Sequence, residues 1–216
     1  MGKLIVIEGL DGSGKSTQLE LLKEKLPDAH FITFPQYESD TGRIITSYLN
    51  GGFDEHDPRV SAYSASIMYA LDRYTSRRTY WGALYDSDRP VISARYVSSN
   101  AVYQMTKLAR PEWDGYLDWL CDLEYVKLDM PRPDMTVFLD MPTEVSQKLL
   151  LRRYGGDESR KDIHERDTAY LARCREAAVF AAGKYGWDII PCCADGEPRS
   201  IADINSELMN RISRIV

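Results

Sequence analysis

The segment Gly9-Leu10-Asp11-Gly12-Ser13-Gly14-Lys15-Ser16-Thr17 constrains this chain more than any other. It satisfies G-x-x-x-x-G-K-[ST] and lies between the run Lys3-Leu4-Ile5-Val6-Ile7-Glu8 and an amphipathic stretch, so a strand enters the loop and a helix leaves it. Glycines at this spacing let backbone N–H groups curl around an anion, because a Cβ blocks both positive φ and close approach. The helix that follows adds the partial positive charge of its N-terminus. Lys15 reaches outer phosphates, and the Ser16 hydroxyl is a ligand for Mg²⁺. Gly9, Asp11, Gly12, Ser13, Gly14, Lys15, Ser16 and Thr17 are therefore the expected site for a nucleoside triphosphate with its Mg²⁺.

With 216 residues the chain is long enough for one α/β domain with a substantial core. A formal charge of −6 argues against a broad nucleic-acid surface, which needs a basic excess. The four cysteines (Cys121, Cys174, Cys192, Cys193) show neither C-x-x-C nor metal-ligand spacing and read as free thiols of a reducing cytosol. Cys192 and Cys193 fall in an apparent strand and should point to opposite faces. No run has the length of a membrane span, and the first apolar run is too short for a signal segment. A cytoplasmic protein without membrane or nucleic-acid partners is expected.

Strand-like runs recur at 3–8, 30–34, 90–94, 134–140 and 187–193, separated by helical stretches long enough for crossovers. That alternation predicts a parallel sheet covered on both faces. Residues 57–86 read as helical, opened by Asp57-Pro58 as N-cap and first helical residue. Residues 112–128 form a second helix, with Leu117, Leu120, Cys121 and Leu128 on one side. The stretch 152–165 turns polar and charged: alone it reads as a solvated face, and its Gly155-Gly156 pair also suits a mobile lid carrying arginines over phosphates.

Three pieces follow strand ends, where open α/β sheets bind ligands: Phe34-Pro35-Gln36-Tyr37, Arg95-Tyr96-Val97-Ser98-Ser99-Asn100, and Asp140. A guanidinium at position 95 either anchors a phosphate dianion or forms a surface ion pair. Tyr69 and Arg73 share a helix face, suited to hold a nucleobase or to sit at a core boundary. Ser99 with Tyr103, and Asn100 with Gln104, repeat that spacing; a buried polar row of this kind is costly unless it meets a ligand or partner groups.

Taken together and in order, Gly-Leu-Asp-Gly-Ser-Gly-Lys-Ser-Thr-Gln, Phe-Pro-x-Tyr, Tyr-x-x-x-x-Arg-Tyr, x-Arg-Tyr-x-x-Ser-Asn and the arginine-rich segment make the chain resemble the thymidylate kinases along essentially its whole length. The resemblance implies one domain over 1–216 with the P-loop nucleoside monophosphate kinase fold. That is a three-layer sandwich on a five-stranded parallel sheet of order 2-3-1-4-5, with a short lid at about 152–165. It implies transfer of a phosphoryl group from MgATP to dTMP, in a homodimer. By the same resemblance Tyr69 stacks on thymine while Arg73 and Asn100 bond its edge, Tyr37 and Arg95 hold the dTMP phosphate, and Phe34 and Pro35 line the nucleoside. Tyr103 crowds the sugar with Gln104 nearby, Ser99 is one of the dTMP-binding residues, and Asp11 and Asp162 lie near sugar and acceptor phosphate. Arg152, Arg153 and Arg160 join Lys15, Arg95 and Asp11 in catalysis, with Ser16 and Glu165 around Mg²⁺.

One position departs from the pattern. Asp-Arg-Tyr or Asp-Arg-His usually follows the third strand, and this chain has Ala94-Arg95-Tyr96. A methyl group orients neither a metal-bound water nor the neighbouring arginine. Either Glu8, Asp11 and Glu165 suffice for the metal or turnover is impaired. The alternatives are a kinase of another nucleoside monophosphate or deoxynucleoside, and a nucleotide-binding protein of reduced activity.

Overall fold

The structure is a computed structural model that describes residues 2–53, 58–153, 155 and 167–216, the side chains of 58–61 and 153 excepted. Five parallel strands are β1 (Leu4–Gly9), β2 (His30–Thr33), β3 (Val91–Ala94), β4 (Met135–Asp140) and β5 (Asp188–Pro191), and they lie in the order β2-β3-β1-β4-β5. The α-helices are α1 (Lys15–Lys25), α2 (Asp40–Leu49), α3 (Pro58–Ser76), α4 (Gly82–Asp86), the single turn α5 (Val97–Ser99), α6 (Trp113–Cys121), α7 (Thr143–Arg153), α8 (Thr168–Tyr185) and α9 (Ile201–Ile212).

The three layers follow from strand alternation. In β1, Leu4 and Val6 face a core built with α3, α4, α6 and α8 around Trp81, Tyr96, Trp113 and Tyr116. Ile5 and Ile7 face the opposite core, with Leu19 and Leu22 of α1, Val145 of α7 and Ile204, Leu208 and Ile212 of α9. Both faces being covered, every residue of β1 is buried. Each such aliphatic side chain contributes about 1.5–3 kcal/mol relative to exposure. The sheet order is the expected one, and the order reverses beside β1, so a crevice opens at the carboxyl ends of β1 and β3.

Two expectations need amendment. The helical stretches 57–86 and 112–128 are not continuous α-helix: π-helical turns occupy Arg77–Trp81 and Asp122–Lys127, and a third covers Asn100–Gln104 directly after α5. The apparent strand 187–193 ends at Pro191; Cys192 is buried beyond it, and Cys193–Ala194 pairs antiparallel with Glu197–Pro198 in a small hairpin. The ladder to β4 reaches one residue further, Cys192 N donating to Asp140 O at 2.8 Å, and Pro191 is tolerated because the N–H it lacks would point to the open edge of β5. Asp57, expected as an N-cap, lies outside the described residues. No helix among the described residues is long and apolar enough to cross a membrane.

Candidate active site

The P-loop leaves β1 at the centre of the sheet and enters α1 through Gly14, whose φ of 82° makes a left-handed N-cap without a side-chain hydrogen bond. The first-turn N–H groups of α1 are thus uncapped by any side chain, as an anion site requires. At Gly12 (φ 77°) a Cβ would stand 3.0 Å from both Ser146 O and Leu150 Cγ, so the loop packs directly on α7, the helix that leads into residues 152–165. Lys15 folds back, donating from Nζ to Gly9 O at 2.9 Å. Burial, with the charge of Arg95 nearby, lowers its pKa to about 8. A cavity of about 500 Å³ surrounds Asp11–Gln18 and is closed by Met141, Leu149, Leu150, Pro198, Arg199, Ile201 and Ile204.

A second cavity, of about 290 Å³, opens at the ends of β1, β2 and β3. Asp11 lines both cavities. Arg95 lines the second cavity with its backbone at φ 66°, a left-handed conformation that costs a non-glycine residue of order 1 kcal/mol. Ser93 Oγ donates to Arg95 O at 2.5 Å and Arg95 N donates to Ile7 O at 3.2 Å, which hold the turn. Its guanidinium donates to Asp11 Oδ1 at 2.9 Å, lies 3.7 Å from Glu8 Oε1 and sits 5.0 Å from the centre of the Tyr103 ring. Glu8 is wholly buried and also accepts from Gly9 N, Ser98 Oγ and Ser99 Oγ at 3.1, 2.9 and 2.6 Å.

The structure brings together, around this second cavity, Asp11, Phe34, Pro35, Tyr37, Tyr69, Arg73, Arg95, Ser99, Asn100, Tyr103 and Gln104. The cis Phe34–Pro35 turn is tied to α3 by Asp72, whose carboxylate accepts from Gln36 N at 2.9 Å, Ser39 Oγ at 3.1 Å and Thr41 Oγ1 at 2.8 Å. Arg73 is buried and ion-paired with Glu124, Nε lying 3.0 and 3.2 Å from its two oxygens and Nη2 donating to Oε1. Its Nη1 donates to Tyr96 O at 3.2 Å. Burial alone would lower the pKa of Arg73; Glu124 outweighs that and raises it. Gln104 Oε1 is buried and makes no hydrogen bond among the described residues. Open hydrogen-bonding capacity on a cavity wall is what a polar ligand would use.

Some sequence-derived expectations land elsewhere. Asp140 is not part of this crevice chemistry: its two oxygens pair with Arg175 at 2.6 and 2.8 Å. Arg152 is exposed at the end of α7, the side chain of Arg153 is not described, and Arg160, Asp162 and Glu165 lie outside the described residues with most of 152–165. Ala94 is buried in the apolar cluster with Ile5, Ile7 and Leu19, on the α1 face. Glu8 lies on the other face, so it does not take the place of a carboxylate at 94. Among the described residues no group of three or more His, Cys, Asp or Glu side chains could hold a metal ion. The exposed Ser16 hydroxyl, a hard oxygen at the start of α1, fits Mg²⁺ carried in on phosphates with most of its water retained.

Tyr96, within the piece that follows β3, also lines the second cavity, as do Tyr48, Leu49, Lys107 and Tyr170, which were not anticipated, nor were Asp72 and Glu124 behind it. For Glu124 a signal existed: it falls on the stripe 117, 121, 124, 128 of an otherwise apolar helix face, where a carboxylate needs a buried partner. Tyr48, Lys107 and Tyr170 arrive from distant segments, and no local pattern marks them.

Comparison with known proteins agrees with this geometry. The thymidylate kinase family model matches residues 7–192. A probable thymidylate kinase of Pyrobaculum aerophilum is 30% identical over 211 residues, covering 97% of each chain. The thymidylate kinase of Mycobacterium tuberculosis H37Rv is 32% identical over 207 residues, 92% of this chain and 95% of that one. A thymidylate kinase structure from Candida albicans superposes with a TM-score of 0.73 at 23% identity, over 99% of this chain and 92% of the other, which speaks to the fold. With a full-length sheet order, a phosphate loop and a relative matched almost end to end, the chain belongs to the thymidylate kinase family.

Proposed function

We propose that this protein transfers the γ-phosphoryl group of ATP, bound as its Mg²⁺ complex, to dTMP, yielding ADP and dTDP for dTTP synthesis. The observation that carries the reading is the meeting of two cavities at Asp11, one built on the P-loop and one on the ends of β1–β3. A phosphate oxygen of dTMP attacks the γ-phosphorus, a P–O bond forms, and the bond to the β-phosphate oxygen breaks. A phosphate dianion is already nucleophilic at neutral pH, so alignment and charge neutralisation do most of the work. Lys15 follows the transferring phosphoryl group, exchanging Gly9 O for phosphate oxygens, which restores its full charge. Arg95, fixed by Asp11 and Glu8, orients the acceptor phosphate beside Tyr37. Ser16 and Glu165 would hold Mg²⁺ brought in with the triphosphate, and the ion would supply positive charge to the phosphates. Arg152, Arg153 and Arg160, with Asp162, close over the phosphates and exclude water. Tyr69, Arg73 and Asn100 take the base, Phe34 and Pro35 the nucleoside, and Ser99, Tyr103 and Gln104 the sugar side. ADP release measured with dTMP, dUMP, dCMP and dGMP tests the assignment. Absence of dTDP formation, or preference for another monophosphate, refutes it.

Ala94 favours slower turnover than a chain with aspartate there, because Glu8, committed to Gly9, Ser98 and Ser99 on the opposite face of the sheet, does not replace that carboxylate. Ala94→Asp should raise kcat, and an unchanged kcat shows that the remaining acids suffice. The working form is a homodimer in the cytoplasm. Ile67, Leu71 and Tyr74 make an exposed apolar stripe on α3 suited to a second copy, and the four free thiols suit a reducing compartment.

A further inference from the structure

We propose that Glu124 is a positioning residue for base recognition: it fixes the guanidinium plane of Arg73, so that the two N–H groups left over face a carbonyl-bearing pyrimidine in the acceptor cavity. The inference rests on the dTMP reading and deepens it, assigning discrimination to a residue that does not itself line the cavity. A guanidinium has five N–H groups in a rigid planar fork. Glu124 takes the Nε–H and one Nη2–H side-on, and Tyr96 O takes one Nη1–H. One N–H remains on each terminal nitrogen, and Arg73 is part of the cavity wall.

Both remaining groups are donors. They suit a ring carbonyl, as on thymine, and oppose an exocyclic amino group, as on cytosine. Arg73 and Glu124 are both essentially inaccessible to solvent, so neither charge is tenable without the other. The pairing also leaves the guanidinium no freedom to turn its edge and adapt to an amino-bearing base. The carboxylate sits on the π-helical turn Asp122–Lys127, while Arg73 sits on α3, so base discrimination depends on how these two elements pack.

Steady-state kinetics with dTMP and dCMP test this on the wild type, Glu124→Gln, Glu124→Asp, Arg73→Ala and the double variant Arg73→Ala/Glu124→Gln. In Glu124→Gln the KM for dTMP should rise about 10- to 100-fold, the span of one charge-assisted hydrogen bond, with kcat changed far less. The dTMP:dCMP ratio of kcat/KM should fall by a similar factor. Glu124→Asp, which keeps the charge on a shorter arm, should recover part of both. In the Arg73→Ala background Glu124→Gln should leave the KM for dTMP unchanged, because Glu124 acts through Arg73. A Glu124→Gln enzyme that loses kcat for both nucleotides alike, with the ratio intact, would overturn the proposal. So would a further rise in KM on top of Arg73→Ala. If Glu124→Gln does not fold, Glu124→Asp and the double variant, which leaves no unpaired buried charge, decide the question by the same two readouts. A wild type that makes no dTDP refutes the dTMP reading itself; an active wild type whose ratio ignores position 124 refutes only the role of Glu124.

Discussion

Removing the carboxylate of Asp72 should loosen the acceptor cavity without touching the P-loop. Asp72 is buried on α3 and accepts three hydrogen bonds: Oδ2 from Gln36 N, and Oδ1 from Ser39 Oγ and Thr41 Oγ1. In Asp72→Ala the two hydroxyls keep other partners, since Ser39 Oγ still accepts from Gly42 N at 2.9 Å and Thr41 Oγ1 still meets Thr75 Oγ1 at 3.2 Å. Gln36 N–H is left with none. Hydrogen bonds to charged groups are worth about 1.5–3 kcal/mol each, and the return of the carboxylate's own desolvation offsets part of the sum. A net loss of about 3 kcal/mol follows from those terms, or a fall of about 6–12 °C in Tm for a domain of this size. Because the same carboxylate anchors the turn that presents Phe34, Pro35 and Tyr37, KM for dTMP should rise while KM for ATP stays. Asp72→Asn separates the links. With the amide oxygen kept for the hydroxyls, its NH₂ faces Gln36 N–H, so stability recovers in part while the KM effect persists. Urea unfolding and kinetics with each substrate varied in turn provide the readout. A Tm drop of less than about 2 °C, or equal shifts in both KM values, refutes the account of Asp72 as the strut of this turn.

Lys15→Ala should abolish phosphoryl transfer while leaving the fold intact, since among the described residues the side chain's one hydrogen bond is to Gly9 O; single-turnover formation of dTDP measures it, and wild-type rates would defeat the role given to Lys15. Burial pushes the thiols of Cys174 and Cys192 up to about 12, so at pH 8 only about one in ten thousand of either is thiolate. Iodoacetamide at that pH should therefore label the half-buried Cys121 and Cys193 alone in the native protein and all four cysteines in urea, read by intact mass.

The parts of this protein that announce themselves in sequence are those whose chemistry is local. The P-loop is legible because strand, turn and helix N-terminus are contiguous and each glycine answers a backbone need. The sheet is legible because five apolar runs alternate with crossovers, although its order came from resemblance rather than periodicity. Arg73 and Tyr69 were legible as sharing a helix face, but the buried partner that gives Arg73 its orientation lies 51 residues away and on a π-helical turn. Asp72 was hidden for the same reason: its three donors come from positions 36 to 41. The turns at Arg77–Trp81 and Asp122–Lys127 stay hidden because an apolar stripe of a few turns does not fix where a one-residue skip, about 100° of helix, falls.

The left-handed backbone at Arg95 has a consequence for how this site trades stability against activity. Arg95→Ala and Arg95→Gly both delete the guanidinium and both leave Asp11 and Glu8 without it. Only glycine accepts a φ of 66° at no steric cost. The glycine variant should therefore unfold at a free energy about 1 kcal/mol above the alanine variant, although glycine lowers stability at most positions. That difference isolates the conformational energy held at one torsion angle from the electrostatics of the side chain it aims. A residue chosen for backbone comfort at this position would be glycine; the arginine found there is the imprint of selection for work over ease.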